Sequence, residues 1–581
     1  MKLLKIALWL VVGLILLALA AVAIFAMTFD PNKYKDDVER LVKERTGRSL
    51  QLKGPLEMAF WPSLGAKVSG VTLSERAADR EFLSLASAHA SVALLPLLRG
   101  EVIVDRVRVA GLKAQIVKDK EGRFNFQDLM ESKPADKPAA KPAAKTGDAQ
   151  PVKFDIAGIQ LENASIAYRD QASGQDIELS NLNLETGRIA ENAQGKVGFS
   201  TALKRNAPPL DARLALNGTY SLKPEAIGVD FNAKLDESTV KGKIDIARAA
   251  QMSYGFDLDI DNINLDRYLA SSEKKKPAAK GEPPAKPSKE GDAPVDLSGL
   301  KGLHAKGQLQ IGALQVQGLK LASLKTGVQV ADGKAQIGPH SASLYEGSLA
   351  GSLSLDGNTN RVALKETLTN IAVGPLLRDF AEQDRLEGRG NVSLDVTSAG
   401  KTVNAMKSAL AGSAKVHLRD GAIKGINIGE LLRKARSLGS RSEGQADPKE
   451  KTDFSELSAS FAIKNGVAHN EDLEVKAPLF RIGGAGDIDV GKSTIDYVVK
   501  ASVVASTQGQ GGKELEQLAG LTVPVRLSGP LEGMKYQVDY GAVAGDLAKS
   551  KVGGKVKEGI DKRKDQIEDK VRDRLKGLLG R

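Results

Sequence analysis

Polar and apolar residues alternate with period two through most of this chain, and the alternation predicts strands. Met252, Tyr254, Phe256, Leu258 and Ile260 fall on one side, with Ser253, Gly255, Asp257, Asp259 and Asp261 on the other. That is the pattern of a strand with one apolar and one wet face. Val229, Phe231, Ala233 and Leu235 repeat it, as do Ile177 and Leu179, then Leu182 and Leu184. Earlier strands are predicted at Val68–Leu73, Ala88–Leu94, Val102–Val109 and Leu112–Val117. Later apolar pairs are Leu309/Ile311, Leu314/Val316, Leu319/Leu321, Val328/Val330 and Leu353/Leu355. Gly312, Gly318 and Asp332-Gly333 punctuate them as expected hairpins of a long meander.

Few segments read as helical. Asn32–Thr46 carries Val38, Leu41 and Val42 on one side, with Gly47 as its stop. Shorter candidates are Leu376–Gln383, Val403–Leu410, Ile428–Leu438 and Glu514–Leu518. Two segments differ in kind. Ile6–Met27, with Trp9, Leu16 and Phe25 in its span, is uncharged; as a helix it reaches about 33 Å, enough to cross a bilayer core. Lys2 and Lys5 precede it and orient a signal-anchor with the bulk of the chain exported. The rival reading is a cleaved signal peptide, for which Ala21-Val22-Ala23 imitates a cleavage site. At the other end, Val552, Val556, Ile560, Ile567, Val571, Leu575 and Leu578 recur at helical spacing. This amphipathic helix is expected either to lie on an anionic membrane surface, with Val556, Ile560, Ile567, Val571 and Leu575 facing it, or to stay solvated.

About 25–30 strands present apolar faces, and so few helices cannot cover them. Three solutions remain open: sandwiches, a closed barrel or β-helix, or a groove filled by lipid chains. Aromatic residues make up only 4% of the 581, which favours small aliphatic linings over bulky cores. Cysteine is absent, excluding disulfides, thiolate nucleophiles and thiolate metal sites.

The charge of +11 comes from 83 basic and 72 acidic residues. Lys549–Arg581 alone holds twelve basic and six acidic residues, so no nucleic-acid-reading surface is implied. Lys133–Gln150 and Ser271–Pro294 are Lys-Pro-Ala segments that read as solvated spacers.

Chemical signals are weak. Gly486–Ser493 (GDIDVGKS) satisfies the P-loop pattern, but the residues after it alternate as a strand instead of opening a phosphate-cradling helix. Gly491-Lys492 therefore reads as a hairpin turn, and no nucleotide is expected. His89, His304, His340, His417 and His469 have no metal-ligand spacing. Asp257, Asp259 and Asp261 are the wet side of one strand. No enzyme, cofactor or metal is expected.

Ordered landmarks run through residues 1–540. They begin with Phe29-Asp30-Pro31-Asn32, Tyr34, Thr46-Gly47-Arg48, Gly54 and Trp61-Pro62, followed by Pro96-Leu97-Leu98 and Gly122–Phe126. Ile263–Leu269, Leu344–Gly347, Gly388–Leu394, Gly421–Asn427, Thr452–Leu457, Gly486–Asp489 and Pro524-Val525 follow. In these features the chain resembles the AsmA family of Gram-negative envelope proteins. Phe126 stands where the family usually carries Trp, and Glu346 where Gly is usual.

The resemblance implies an inner-membrane, signal-anchored periplasmic protein whose antiparallel sheet curls into a chorein-like hydrophobic groove. It also implies phospholipid transport between inner and outer membranes. The alternative is an assembly factor or scaffold for outer-membrane proteins. The expected division is anchor 1–30, β segment 31–132, linker 133–150, β segment 151–270, linker 271–294, β segment 295–545 and basic helix 546–581. Polarity selects Val102, Val104, Tyr254, Phe256, Leu258, Ile260, Leu309, Ile311, Leu353 and Leu355 as groove-lining candidates. At about 4.8 Å per strand the groove would run roughly 120–145 Å.

Overall fold

The computed structural model describes residues 30–60, 63–97, 99, 101–130, 154–207, 209–249, 251–269, 294–425, 427, 442–445, 447–478, 480–504, 522–531 and 533–538. The apolar run with Ile6, Trp9, Leu16, Phe25 and Met27 lies outside them, as does the C-terminal stretch with Val556, Ile560, Ile567, Val571 and Leu575. Ile428–Leu438, Glu514–Leu518 and most of both Lys-Pro-Ala segments also lie outside. Among the described residues no helix is long and apolar enough to cross a membrane. The chain divides into two compact units, Met1–Lys274 and Lys275–Arg581.

The first unit opens with a 3₁₀ turn, Pro31–Tyr34, and helix α1, Lys35–Thr46. Gly47 ends the helix at φ 68, donating its N–H to Lys43 O at 2.9 Å, as the sequence predicted. Fifteen strands follow. The first seven are β1 Leu50–Leu52, β2 Leu56–Ala59, β3 Ser63–Ser74, β4 Glu81–Ala93, β5 Val102–Val104, β6 Val107–Ala110 and β7 Lys113–Lys118. Next come β8 Phe154–Ile156, β9 Ile159–Asp170, β10 Gln175–Thr186, β11 Gln194–Arg205, β12 Leu210–Lys223, β13 Ala226–Leu235, β14 Ser238–Arg248 and β15 Met252–Asn264. Two one-turn helices lie in the connections, α2 Leu94–Leu97 and α3 Gln127–Met130.

Pairing runs mostly between sequence neighbours and is antiparallel except at one step; β1 and β2 both lie along β3. β5, β6 and β7 act as one interrupted strand along β4, and β8 and β9 lie parallel to it. The connection holding Lys133–Gln150 therefore joins two parallel strands. A purely antiparallel meander is corrected at this step: a chain that leaves one end of a strand and re-enters beside its start needs a long return.

The second unit contains β16 Ala305–Val316, β17 Leu319–Ala331, β18 Lys334–Leu344, β19 Gly347–Asp356, β20 Arg361–Ala372, β21 Leu386–Ala399 and β22 Ala411–Gly425. It continues with β23 Ser442–Gln445, β24 Asp447–Lys464, β25 Val467–Lys476, β26 Phe480–Asp489, β27 Thr494–Val503, β28 Thr522–Pro530 and β29 Lys535–Val538. Helices α4, Val373–Ala381, and α5, Val403–Ser408, match two of the predicted helices. Hairpins form at Gln317-Gly318 and Asp332-Gly333, as expected. Gly312 does not turn the chain: register passes it unbroken, from Ile311↔Leu324 to Ala313↔Ala322, so its flanking pairs belong to one strand.

The end of this unit closes on itself. β22 pairs with β24, and an unbroken antiparallel ladder leads from β24 through β28 to β29. β29 then pairs with β23, which directly precedes β24. This ring of strands seals a core in which Val475 and Val538 are 0% exposed, with Ile482, Ala501, Val523 and Val525 at 4% or less. Around this ring the apolar side chains pack on one another, so the expected groove is filled here by the protein's own residues.

Candidate site: an open apolar sheet face

Strand pairing in the first unit lines its apolar positions into continuous rows. One row reads Leu56, Val68, Ala88, Val109, Leu161, Leu184, Phe199, Leu216, Ala233, Val240 and Ile260, each directly opposite the next. These eleven residues, one per strand position, make a stripe of about 48 Å. A second row reads Leu50, Leu73, Leu83, Ala114, Ile166, Leu179, Leu203 and Ala212. One step along each strand reverses the face. The row there is Glu57, Lys67, His89, Arg108, Gln160, Glu185, Gly198, Asn217, Asn232, Lys241 and Asp259. The sheet is sorted by polarity across its full width.

Between the two rows the apolar phase slips by one residue, from Val68 to Val71, Val109 to Leu112, Leu161 to Ala164, and Leu182 to Leu179. At each slip stands a left-handed residue: Gly70, Gly111, Asn163 or Asn181, with φ of 59, 62, 52 and 50. Such residues bend the strand and reset its alternation, and beside Asn163 and Asn181 the pairing also shifts by one residue. The reset restores the apolar side chains to a common face beyond the bend. Glycine and asparagine are the residues that tolerate this conformation at low cost. This line of bends was missed by period-two reading, although the paired breaks at Leu179/Leu182 and Val109/Leu112 are its signature.

The first-unit candidates lie on two separate strands of this sheet, β5 and β15. Val104 lies opposite Val92 and Ile156, and Val102 shares its side of β5. Tyr254, Phe256, Leu258 and Ile260 face Ile246, Ile244, Gly242 and Val240 on β14. All six are half-buried. Leu309, Leu353 and Leu355 are also half-buried, whereas Ile311 is only 6% exposed. These four belong to the second unit, where Leu353 pairs with Ile337 and Leu364. Asp257, Asp259 and Asp261 lie on the wet side of β15, all exposed. Hydrogen bonds from the Thr239 and Asn262 amides hold the Asp261 carboxyl below its usual range. Gly491-Lys492 lies in the β26–β27 hairpin, with the Lys492 amide on Asp489 Oδ1 at 2.9 Å, and Thr494 begins a strand.

The contrast in cover defines the site. In the long first-unit row, ten of the eleven residues are half-buried and only Ala233 is fully buried. Both packed hydrophobic clusters found among the described residues belong to the second unit. There α4 straps the end of the face: Leu376 and Leu377 pack into the larger cluster, and Tyr345 Oη donates to Asp379 Oδ2 at 2.9 Å. Burial and that carboxylate push the Tyr345 phenol up to about 12.

Polar groups fix two places on these sheets. Arg48, 0% exposed, grips Asp128 with Nε at 2.9 Å and Nη2 at 2.5 Å, and donates to the carbonyls of Ser74 and Asn125. Its guanidinium lies 4.8 Å from the centre of the Phe82 ring and holds the Asp128 carboxyl below its usual range. The lock ties the α3 segment to the end of β3. In the second unit His340 Nε2 lies 2.9 Å from Glu366 Oε1 across Gly351, on the same face as Leu353 and Leu364.

A polarity-sorted β-chain with the landmarks already described matches one family profile. The AsmA family profile aligns with residues 1–252 and 230–473. The chain belongs to the AsmA family. Among AsmA relatives it is similar to Protein AsmA of Escherichia coli (strain K12), 22% identical over 587 aligned positions. That similarity spans 90% of this chain and 92% of the relative. Glu346, the residue that departs from the AsmA landmark, takes φ 67 in the Tyr345-Glu346 turn, a conformation for which glycine is the low-cost residue.

Proposed function

We propose that the open apolar face of the first unit shields phospholipid acyl chains, in an envelope protein held in the inner membrane by Ile6–Met27 with its bulk in the periplasm. The unbroken, half-exposed row from Leu56 to Ile260 carries this reading. Each methylene taken from water onto such a face gains about 0.8 kcal/mol, so a lipid tail could move along the row without crossing water. Headgroups would stay at the solvated margin. The role is non-enzymatic, and membrane phospholipid is the partner. The contrast in packing supports the choice of unit, because among the described residues the apolar side chains of the C-terminal ring pack into a cluster of their own.

Mass spectrometry of lipid co-purifying with the protein tests the proposal. Phospholipid should accompany the wild type and be lost from Leu258→Asp or Phe256→Asp variants that still fold. Unchanged lipid occupancy in those variants would end the proposal and favour a scaffold for outer-membrane protein assembly.

A further inference from the structure

Helix α1 is fastened to the sheet by its polar side. Lys35 Nζ donates to Gly54 O at 2.6 Å, and Glu39 Oε1 accepts the Leu52 amide at 2.6 Å. These bonds satisfy backbone groups at and beside the edge strand β1, where no further strand pairs. Positions 38, 41 and 45 fall on another side of the helix, about 100° round from 35 and 39. There Val38 is 40% and Leu41 50% exposed, and no residue of the helix is fully buried. The half-buried positions are Lys35, Glu39, Val42 and Thr46, so the sheet covers one apolar residue of the helix and leaves Val38 and Leu41 uncovered.

What lies next along the chain indicates the occupant. Residues 1–29 precede the described structure, and their uncharged run stops at Met27, only three residues before Asp30. If that run spans a bilayer, α1 begins within a few residues of the lipid headgroups, and its Val38–Leu41 side is an apolar strip at membrane level. We infer that α1 is an interfacial helix that rests Val38 and Leu41 in the lipid surface while Lys35 and Glu39 clamp the sheet edge. The anchor and the start of the apolar face would then be held at a set distance from the membrane. This inference rests on the membrane span and is independent of lipid binding by the first-unit face.

The absence of cysteine permits a direct test. Single-cysteine variants Val38→Cys, Leu41→Cys and Lys43→Cys of the full chain are spin-labelled and reconstituted into phosphatidylethanolamine–phosphatidylglycerol vesicles. Labels at 38 and 41 should lie about 5–10 Å into the headgroup–acyl boundary and be reached by lipid-soluble oxygen, while the label at 43 stays accessible to an aqueous relaxant. Equal aqueous access at all three would overturn the inference. So would labels at 38 and 41 shielded from both reagents, since a protein segment would then cover the strip. Circular dichroism of each variant checks that the fold is kept, and the positions are exposed enough to tolerate the change.

Discussion

Replacing Leu216 by Asp separates a face that awaits lipid from a face that belongs to a core. Leu216 sits mid-row between Phe199 and Ala233 and is half-buried. Without lipid, water reaches the new carboxylate. The loss is then about half the burial of a leucine, roughly 1 kcal/mol. With an acyl chain over the row, the charge must enter hydrocarbon, which costs about 2.5–3.5 kcal/mol. At 1.4 kcal/mol per decade this weakens binding about 60- to 300-fold. Val475→Asp is the comparison: at 0% exposure its carboxylate has no route to water, and the second unit should lose several kcal/mol. Asn217→Asp, one residue along on the wet face, should change neither quantity. Thermal unfolding gives the stability arm, and titration with a fluorescent fatty-acyl probe gives the binding arm. If Leu216→Asp destabilised the fold as much as Val475→Asp, the first-unit face would be a sealed interior and the reasoning would fail.

Three further outcomes are expected. Glu346→Gly should raise stability by about 1 kcal/mol in denaturant unfolding, because it removes left-handed strain and forfeits only an exposed ion pair with Arg389. Gly351→Ala should destabilise by about 1–3 kcal/mol, since its methyl group meets Lys365 O and the Glu366 carboxylate; pairing it with Glu366→Ala should recover part of the loss. Arg48→Ala should cost about 3–5 kcal/mol by leaving Asp128 without its buried partner. The Arg48–Asp128 pair also sets an acid limit. Asp128 titrates lower in the folded protein than in the unfolded one. Its contribution is therefore fully present above the unfolded value of about 3.9 and fades as pH falls through the folded value. An acid titration of Asp128→Asn monitored by circular dichroism should lack that component.

Alternation alone was enough to place β15, its wet aspartates and the apolar side shared by Tyr254 through Ile260, because side-chain direction in a strand is a local property. The turn reading of Gly491-Lys492 was also local: β-branched residues after it could not open a helix. Gly312 misled because glycine followed by a change of apolar phase resembles a turn, whereas the strand continues past it and Ser323 across from it takes the left-handed conformation, φ 54. The bends at Gly70, Gly111, Asn163 and Asn181 were legible only as unexplained phase breaks, since their alignment appears once register is known. Closure of the ring was invisible. Ser442 and Val538 meet across about a hundred residues, and no neighbouring residue of either announces the other. The exposure of Val38 and Leu41 on α1 escaped notice for a related reason: the amphipathic pattern shows which side is apolar and not which side meets the sheet.

Nearly every step of the first unit's ladder joins a strand to the one just before it in sequence. An extra hairpin inserted at a turn would therefore extend the face by two strands, about 9.6 Å, while every pair but the one it interrupts kept its place. The ring in the second unit has no such freedom, because strand number sets its girth. The length of the first unit's face can therefore be tuned in increments of two strands, and chains of different length could serve gaps of different width by the same design.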